Sequence, residues 1–478
     1  MNTYTISNTK LNPKHVFILQ KSALEKRLDP FFYVPELVTL EKKILAKQPK
    51  KLRDYVKGIA SGATPKTAEV EKYYSDAENG KPFLRVQNLS PTGILKFDDC
   101  KYINDETHNG MLKRSQVLEG DLLVKITGVG RMAVASVAPK NFEGNINQHV
   151  CVIKTGNKEV SETLAAYLNS DIAEKLASRR STGGTRPALD YPALLSIPII
   201  EDKRILKITK KVITLKKQNE AEAEKLLSSI DAYLLSELGI NLPEPPENTL
   251  KNRMFRVSLK EISGSRFDPY FNKIYFKDVF NSFSKSKYTI SRIKDVLENI
   301  KTGTTPNQKL DPFVKSEGII FLRNTNLKKY QIDLSDTKFV KKIFVNELTY
   351  SIKDEVIMCI AGTVGLSAIN DILKPISINQ NVSALKFYKQ KINPIFASYW
   401  FNTNIFIELT KRACSVATIF YLNNDNLKLL PIPVPPLDKQ QEIANHISEI
   451  RAQVQKLKDQ TAEALKEASK EIENILLN

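Results

Sequence analysis

Hydrophobic side chains recur with a helical period in two long stretches of the chain. Between residues 202 and 238 they return every three or four positions, give way to polar residues around Asn219 and then resume. Residues 438–477 have the same spacing over a similar length. Because such a stripe needs a partner helix along its length, we predict two long helices paired as an antiparallel coiled coil. The predicted seam consists of Ile205, Ile208, Val212, Leu215, Leu226, Ile230, Ile443, Ile447, Ile450, Val454 and Leu457.

Both predicted helices have recognisable ends. Asp438 is followed three residues later by Gln441, which is the spacing of an N-terminal capping box. Asp202 holds the corresponding position before the central helix, and Gly239 is the predicted C-cap at its end. A stiff, Pro-rich linker is expected to follow Gly239.

Outside these helices, short apolar runs alternate with turns rich in Gly, Asn and Pro, which is typical of β-strands. Predicted strands include 122–126, 150–153, 319–322 and 355–360, and helical patches lie near 162–179 and 394–412. The predicted fold class is therefore α+β, with two mostly β domains in tandem and two long helices. The boundaries are 1–201 for the first domain, 202–239 for the central helix, 240–252 for the linker, 253–436 for the second domain and 437–478 for the distal helix.

The two domains repeat the same sequence features in the same order. The matched segments are 27–32 (RLDPFF) with 266–271 (RFDPYF), 61–65 (SGATP) with 302–306 (TGTTP), 83–89 (FLRVQNL) with 321–327 (FLRNTNL), 120–130 with 354–365, and 145–148 (NINQ) with 377–380 (SINQ). Each copy then reaches an Ile-Pro step and enters its long helix. An ordered series of this length indicates an internal duplication.

Charge and cysteine usage narrow the class of protein. Lys and Arg outnumber Asp and Glu by 71 to 53, so the net charge is +18. A basic chain favours a polyanionic partner, most often nucleic acid. The four cysteines are dispersed, which argues against a disulfide framework and fits a reducing compartment. The N-terminus lacks the apolar core of a signal peptide and no run is long enough to cross a membrane, so we expect a soluble cytoplasmic protein.

The order of domain, long helix, domain and long helix resembles the DNA-specificity subunit of type I restriction–modification enzymes. Segments 61–65 and 302–306, with the Asn-Gln pairs 147–148 and 379–380, are similar to phrases of that family's target-recognition domains. The resemblance covers nearly the whole chain and rests on the duplicated series rather than on one motif.

This resemblance implies a non-catalytic subunit that binds double-stranded DNA. It also implies two methyltransferase subunits and two motor–nuclease subunits as partners, and no membrane partner. S-adenosylmethionine, ATP and Mg²⁺ are then expected on those partners, and no cofactor on this chain. Each domain is expected to read one half of a split, asymmetric target.

Catalytic motifs are missing from the sequence. Neither Pro-Pro pair, 245–246 or 435–436, is flanked as amine methylation of a flipped base requires, and there is no phosphate-binding Gly-x-x-x-x-Gly-Lys loop. Segment 201–203 (EDK) resembles a nuclease cluster, but its counterpart 437–439 (LDK) also starts a helix, so capping explains both. The four histidines are scattered, so we predict neither a metal site nor a catalytic residue.

Candidate DNA contacts are hydroxyl, amide and guanidinium groups in the repeated turns, because these groups bind phosphates and base edges. They are Thr64, Arg85, Asn88, Thr127, Arg131, Asn147 and Gln148 in the first copy, and Thr305, Arg323, Asn326, Thr363, Asn379 and Gln380 in the second. Each candidate has a structural alternative: a plain glycine turn, a surface ion pair or an amide that ties a turn. For the Asn-Gln pairs the structural alternative is favoured, since both copies share them.

Base-reading residues should differ between the copies if the two half-sites differ. This favours the divergent basic segments 179–186 and 411–418, with the candidates Arg179, Arg180, Arg186, Lys411 and Arg412. The first segment is Gly-rich and is predicted to form a loop that enters a DNA groove. Replacing both Arg179 and Arg186 by alanine should then affect one half-site only.

The predicted helices are long enough to set the number of base pairs between the two half-sites, which we call the spacer. At ~1.5 Å per residue each would span ~55 Å, which exceeds the ~34 Å of one DNA turn.

Two other functions also fit the sequence. One is the specificity subunit of a restriction system whose methyltransferase and nuclease share one partner chain, and the other is a coiled-coil RNA-binding or adaptor protein. The duplication favours duplex DNA over a single strand.

Overall fold

The computed structural model describes residues 3–5, 12, 16–25, 27–66, 68–247, 249–263, 266–414 and 420–478. The chain forms two compact units: the first is Met1–Glu220 with Lys458–Asn478, and the second is Ala221–Leu457. Each unit contains one β-rich domain and part of each long helix. The predicted α+β class, with two β-rich domains and two long helices, is confirmed.

The described part of the first unit contains two main sheets and two small sheets of two strands each. Its strands are β1 (Thr3–Thr5), β2 (Phe17–Leu19), β3 (Lys50–Lys51), β4 (Gly58–Ser61), β5 (Tyr74–Ser75), β6 (Lys81–Leu84), β7 (Lys101–Ile103), β8 (Gln116–Leu118), β9 (Leu122–Lys125), β10 (Ala135–Val137), β11 (Glu143–Ile146), β12 (Val150–Lys154) and β13 (Pro198–Ile199). The four-stranded sheet has the order β10-β9-β12-β4, and the five-stranded sheet has the order β5-β7-β6-β11-β8. The small sheets pair β1 with β2 and β3 with β13. In the five-stranded sheet β6 and β11 run parallel.

The domain of the second unit repeats this topology. Its strands are β14 (Ile290–Arg292), β15 (Leu297–Thr302), β16 (Phe313–Val314), β17 (Ile319–Leu322), β18 (Leu327–Lys328), β19 (Gln331–Ile332), β20 (Lys338–Val340), β21 (Tyr350–Ser351), β22 (Val356–Cys359), β23 (Ser367–Ile369), β24 (Ile376–Ile378), β25 (Val382–Phe387) and β26 (Pro431–Pro433). The sheet orders are β23-β22-β25-β15 and β16-β20-β17-β24-β21. The parallel pair recurs as β17 with β24. The two domains are therefore duplicates in topology as well as in sequence.

The central strands β9 and β22 consist of consecutive apolar residues, apart from Lys125 at the end of β9, because both of their faces are covered. In β9, Leu122 and Val124 pack against the helices of the first unit, whereas Leu123 packs against the five-stranded sheet. In β22, Val356 and Ile357 divide between the two faces in the same way. A half-exposed strand would alternate apolar and polar residues instead, which these strands do not.

The helices comprise short elements and two long ones. They are α1 (Pro35–Leu45), α2 (Val70–Tyr73), α3 (Asp105–Asn109), α4 (Lys158–Leu168), α5 (Asp171–Arg180), α6 (Tyr191–Leu195), α7 (Lys203–Glu237), α8 (Leu250–Arg253), α9 (Leu259–Ile262), α10 (Ile274–Ser284), α11 (Pro394–Phe401), α12 (Asn404–Ala413), α13 (Asn424–Lys428) and α14 (Leu437–Leu477). Short 3-10 helices lie at Lys21–Ala23, Pro30–Tyr33, Leu52–Tyr55, Val86–Asn88, Lys113–Ser115, Ile293–Asp295, Gln308–Leu310, Asn324–Asn326 and Lys342–Glu347.

Two of the three predicted end signals of the long helices are confirmed. The Asp202 carboxylate accepts a hydrogen bond from the Arg204 backbone N–H at 2.8 Å, as an N-cap does. Gly239 has a φ of +64°, the left-handed conformation typical of a C-cap glycine. The distal helix also ends where its apolar spacing ends. The prediction for Asp438 was wrong, because α14 already begins at Leu437 and the Gln440 N–H donates to the Pro436 carbonyl at 2.9 Å.

Within the first unit, the two long helices pair antiparallel. Ile205, near the start of α7, shares a buried cluster with Ile472 and Leu476, near the end of α14. Further along, the Asn219 side-chain amide donates to the Thr461 hydroxyl at 3.0 Å, with Asn219 only 9% exposed. The polar break in the sequence pattern is therefore a buried hydrogen bond between the helices.

Within the second unit, the antiparallel pairing continues with apolar and charged contacts. Tyr233 stacks on His446 with ring centroids 4.1 Å apart, and Lys439 forms an ion pair with Glu237 at 2.6 Å. Predicted seam residues that are buried are Ile205, Ile230, Ile443, Ile447, Ile450 and Val454, and those that are half-buried are Ile208, Val212, Leu226 and Leu457. The prediction for Leu215 was wrong, because its side chain is 37% exposed and the seam passes through Val212 and Asn219, seven residues apart.

Candidate nucleic-acid interface

The repeated Arg-x-Asp-Pro-x-Phe segments are structural anchors. In the first unit, the guanidinium groups of Arg27 and Arg179 lie over the Phe32 ring at 4.5 and 3.9 Å from its centroid. The second unit repeats this arrangement with Arg266 and Arg412 over Phe271, at 5.1 and 3.8 Å. Each pair of arginines therefore connects the N-terminal segment of its domain to the C-terminal end of a helix in the same domain, α5 in the first unit and α12 in the second.

Arg179 and Arg180 lie at the buried end of α5 rather than in a loop. Their side chains are 5% and 10% exposed, and both bond to the Glu41 carboxylate. Burial lowers the pKa of each guanidinium to about 10, so both remain protonated at neutral pH. The prediction that these two arginines project into a DNA groove was wrong, because their guanidinium groups are buried and paired with the Glu41 carboxylate.

In the second copy, the described residues of the basic segment also make their contacts within the protein. Arg412 is half-buried, and its Nε donates to the Phe271 carbonyl at 2.9 Å. Burial lowers the pKa of Arg412. Lys411 pairs with Glu408 at 2.7 Å. Residues 415–418, which complete the predicted segment, lie outside the described residues.

Asn88 and Asn326 are buried turn residues. The Asn88 side chain accepts from the Arg85 N–H at 2.8 Å and donates to the Lys96 carbonyl at 2.9 Å. Asn326 accepts from the Arg323 N–H at 3.0 Å in the same way. Because the amide groups are fully used within the turn, the structural alternative describes both residues.

Arg85 and Arg323 close the same turns with their side chains. Arg85 donates to the Asp99 carbonyl at 2.7 Å and to its carboxylate at 3.0 Å. Arg323 makes the matching bonds to Asp336 at 2.5 and 2.9 Å. The ion-pair alternative therefore describes both arginines.

Gly62 and Gly303 bring the repeated turns into direct contact with a second backbone segment. A Cβ on Gly62 would lie 1.6 Å from the Ile146 carbonyl oxygen, and one on Gly303 would lie 2.2 Å from that of Ile378. Only glycine permits so close an approach. The approach places the hydroxyl of Thr64 against Gln148, and that of Thr305 against Gln380. These four predicted residues are brought together in both copies.

Asn147 and Asn379 fix the backbone next to those glutamines. The Asn147 side chain accepts from the His149 N–H at 3.1 Å, and Asn379 accepts from the Asn381 N–H at 3.3 Å. Both asparagines are 7% exposed, so they serve the turn, whereas Gln148 is exposed at the surface. His149 and Asn381 occupy the same place in the two copies and differ in side chain.

In the first unit, backbone hydrogen bonds join two further segments, 126–131 and 182–188, to the 147–149 turn. The Ile126 N–H donates to the His149 carbonyl and the Gly128 N–H to the Pro187 carbonyl, both at 3.0 Å. Thr182 and Ala188 exchange two backbone bonds at 2.8 Å, which closes a short loop that exposes Arg186. We call the combined surface of 62–64, 127–131, 147–149 and 182–188 the first loop surface.

Two basic side chains, those of Lys125 and Arg131, hold the 127–131 loop in place within the first unit. The Lys125 ammonium is buried and donates to the Val129 carbonyl at 2.7 Å, and burial lowers the pKa of Lys125. Arg131 forms an ion pair with Asp171 at 2.5 Å, so its charge is engaged within the unit. Thr127 is half-buried beside them, and the exposed tip of the loop is Val129.

The second unit builds a corresponding surface with different exposed side chains. The Ile360 N–H donates to the Asn381 carbonyl at 2.9 Å, and the Gly362 N–H donates to the Phe420 carbonyl at 3.1 Å. Thr363 is exposed in the loop that follows. We call the surface of 303–305, 361–365, 379–381 and 420–421 the second loop surface.

Two exposed aromatic residues of the second loop surface were missed in the sequence. Phe420 and Tyr421 are 41% and 46% exposed, where the first unit has Pro187 and Ala188. The available signal was an aromatic pair just after the divergent segment 411–418. Apolar side chains at such a surface can contact thymine methyl groups or wedge between base steps.

Other functional sites are not indicated within the described part of the chain. No group of three or more His, Cys, Asp or Glu side chains there is arranged to hold a metal ion. Among the helices of the described residues, none combines the length and the apolar character needed to cross a membrane. The four cysteines are free thiols, and three of them are buried.

A comparison with models of known protein families found a match in the second half of the chain. Residues 285–467 match the model of the type I restriction modification DNA specificity domain. That segment includes most of the second domain and its distal helix, and the first unit has the same sheet orders. The resemblance to DNA-specificity subunits of type I restriction–modification enzymes is thereby confirmed.

A search of known proteins found a relative whose name also describes a type I specificity subunit. The "Putative type I restriction enzyme MjaX specificity subunit" of Methanocaldococcus jannaschii is 27% identical over 179 residues, which are 34% of this chain and 39% of that protein. The match thus spans less than half the length of that relative.

Two solved structures are similar to this chain at low sequence identity and with TM-scores below 0.5. A chain from work on complex assembly and conformational transition of the type I R-M system is 15% identical with a TM-score of 0.47, covering 89% of this chain and 95% of that chain. The type I restriction–modification S subunit from M. genitalium is 14% identical with a TM-score of 0.37, covering 90% of this chain and 94% of that chain.

Proposed function

We propose that this chain is the DNA-specificity subunit of a type I restriction–modification complex and that each unit reads one half of a split, asymmetric target. The observation that carries the proposal is the pair of loop surfaces. Their framework is identical, with glycine turns, Thr–Gln pairs and asparagine caps in both copies. Their exposed residues differ, as expected for two half-sites of different sequence.

Residues that are the same in both loop surfaces and residues that differ between them have different proposed roles. The Thr–Gln pairs occupy the same place in both copies and supply hydroxyl and amide groups for the DNA backbone. Arg186 in the first copy, and Phe420 with Tyr421 in the second, differ in chemistry and supply base contacts. The net charge of +18 favours a duplex partner and makes binding sensitive to salt.

Catalysis in the proposed complex belongs to the partners. The chain carries no motif for methyl transfer, ATP hydrolysis or DNA cleavage. We propose two methyltransferase subunits, which bind S-adenosylmethionine, and two motor–nuclease subunits, which use ATP and Mg²⁺. The test is methylome sequencing of cells that express this chain with its partner methyltransferase. A methylated motif with two unlike halves is expected, and no methylation is expected from this chain alone; a continuous or symmetric motif would contradict the proposal.

Arg186→Ala is predicted to alter recognition of one half-site only. Arg186 is exposed on the first loop surface, and loss of an arginine–base contact costs about 1–3 kcal/mol. Binding is measured with oligonucleotides mutated in either half of the motif. Arg53→Ala is the matched control, because Arg53 is an exposed arginine of the same unit outside that surface. An equal loss on both halves, or no loss, would remove Arg186 from the proposed readout.

Inserting one heptad into each long helix is predicted to lengthen the spacer of the methylated motif. The insertions belong after Asn219 and after Gln460, because this keeps the Asn219–Thr461 hydrogen bond intact. Seven residues add ~10 Å of helix, or about three base pairs at ~3.4 Å each, and preserve the seam. Methylome sequencing reports the gap. A chain with the heptad in α7 alone serves as the control that should fail to assemble, and an unchanged gap in the double insertion would show that the helices do not set the spacer.

A further inference from the structure

The first unit contains a groove whose counterpart in the second unit is filled by a tyrosine. In the second unit, Tyr330 is 4% exposed and packs edge-on against Tyr399, with ring centroids 5.5 Å apart. The Arg451 guanidinium lies 5.8 Å from the Tyr330 ring. Tyr330 has a φ of +68°, so the turn adopts an unusual conformation to place this side chain.

The hydrogen bonds of the duplicated turn show which residue replaces Tyr330 in the first unit. Asn326 donates to the Asp333 carbonyl, and Asn88 donates to the Lys96 carbonyl. The residue three positions before each acceptor is Tyr330 in one copy and Gly93 in the other. Gly93 has a φ of +79°, so the backbone conformation is kept although the side chain is absent.

The second half of the aromatic pair is replaced as well. Asn402 and Asn169 both hold a strand through their side chains, with Asn402 donating to Ser367 and Asn169 to Ala135, each at 2.8 Å. The residue three positions earlier is Tyr399 in the second unit and Ala166 in the first. Two tyrosines are thus replaced by a glycine and an alanine.

The space left by these replacements is a groove of about 500 Å³ in the first unit. Gly93 and Ala166 lie in its wall, together with the apolar side chains of Leu95, Leu206 and Ile213. This volume lies within the ~300–1,000 Å³ range of sites that bind small ligands, so it can hold an aromatic side chain.

The rim of the groove is strongly basic. Lys140, Lys158, Lys210 and Lys217 line it, and Glu162 is the acidic residue among the lining groups. Glu162 is paired with Lys210 at 2.6 Å and Lys158 with Glu119 at 3.3 Å, so the positive excess of the rim comes from Lys140 and Lys217. An occupant that combines an aromatic ring with neighbouring carboxylates matches both the wall and the rim.

We propose that this groove is a docking site for a partner protein segment that inserts an aromatic side chain flanked by acidic residues. The inserted ring takes the place that Tyr330 fills in the second unit, and the carboxylates meet the lysines of the rim. The second unit supplies its own ring and therefore has no such site. Duplex DNA is the less suitable occupant, because phosphates gain nothing from the apolar wall.

The probe is a fluorescent peptide, acetyl-Glu-Asp-Tyr-Glu-Asp-amide, with an otherwise identical peptide that has alanine in place of tyrosine. Anisotropy with the full chain is expected to show about tenfold weaker binding of the alanine peptide, as expected for loss of one buried aromatic contact. The Gly93→Tyr variant, which fills the groove from within, is expected to weaken the tyrosine peptide by about the same factor. A Cβ on Gly93 meets only ordinary contacts, at 3.9 Å from Ala165 and 4.0 Å from Asn169.

Two further variants keep the test decisive. Gly156→Tyr is the matched control, because Gly156 has a φ of +75° and its Cβ would meet only the flexible side chain of Lys57, so it carries the same backbone strain outside the groove and outside the first loop surface. Ala166→Tyr fills the groove from the helix and decides the outcome if Gly93→Tyr does not fold. Equal binding of the two peptides, or full binding by the variants with a filled groove, would overturn the proposal. Binding that duplex DNA displaces and that does not depend on the tyrosine would overturn it too, because the lysine rim would then belong to nucleic acid.

Discussion

Arg179→Ala is expected to destabilise the first unit by about 3 kcal/mol. The substitution removes a guanidinium that bonds to Glu41, donates to the Phe32 carbonyl at 2.8 Å and lies over the Phe32 ring. Without Arg179, the Phe32 carbonyl and one oxygen of the buried Glu41 carboxylate lose their hydrogen-bond donor. An unsatisfied buried acceptor is costly, even though Arg180 still balances the charge of Glu41. The effect is one of stability, so DNA recognition is lost only as far as the unit unfolds.

Chemical unfolding of the full chain, followed by hydrogen exchange in each unit, measures this effect. Arg186→Ala is the matched control, because it removes an exposed arginine seven positions away and should change stability by no more than about 0.5 kcal/mol. Arg412→Ala in the second unit should cost less, about 2 kcal/mol, since Phe280 rather than a carboxylate faces it. An Arg179→Ala chain as stable as the Arg186→Ala chain would contradict the structural role.

Gly62→Ala is expected to disrupt the first loop surface and to abolish recognition of the first half-site. A Cβ at this position would lie 1.6 Å from the Ile146 carbonyl oxygen, which is backbone and cannot rotate away. The turn must therefore separate from the 146–148 segment, which breaks the contact between Thr64 and Gln148. Overpacking of this kind costs about 3 kcal/mol or more, and the local exchange protection should fall.

The duplicated structure supplies a reciprocal test and a control for this prediction. Gly303→Ala should remove recognition of the second half-site by the same mechanism, with its Cβ 2.2 Å from the Ile378 carbonyl oxygen. Gly184→Ala should leave both halves intact, because a Cβ there meets nothing within 4 Å. Oligonucleotides mutated in one half at a time report each outcome. If either clashing substitution reduced both half-sites equally, the assignment of one half-site to each unit would fail.

The candidate site shows how far residue type alone can lead. The repeated turn phrases made Thr64, Gln148, Thr305 and Gln380 candidates, but the contact of each threonine with its glutamine was not predicted and is known only from the structure. The prediction for Arg179 and Arg180 was wrong, because the sequence does not distinguish an arginine that faces DNA from one that pairs with an interior carboxylate. The partner of Arg179 is Glu41, which is 138 residues away in the chain.

The sequence by itself determined the internal duplication, the two long helices and the position of the paired turns. These features are local or periodic, so the order of residues carries them directly. Only the tertiary structure decided which charged and aromatic residues are exposed. Tyr330 is buried whereas Phe420 and Tyr421 are not, and Gly93 leaves a groove because Ala166 lies near it. Burial depends on contacts between segments distant in the chain, and such contacts leave no periodic pattern in the sequence.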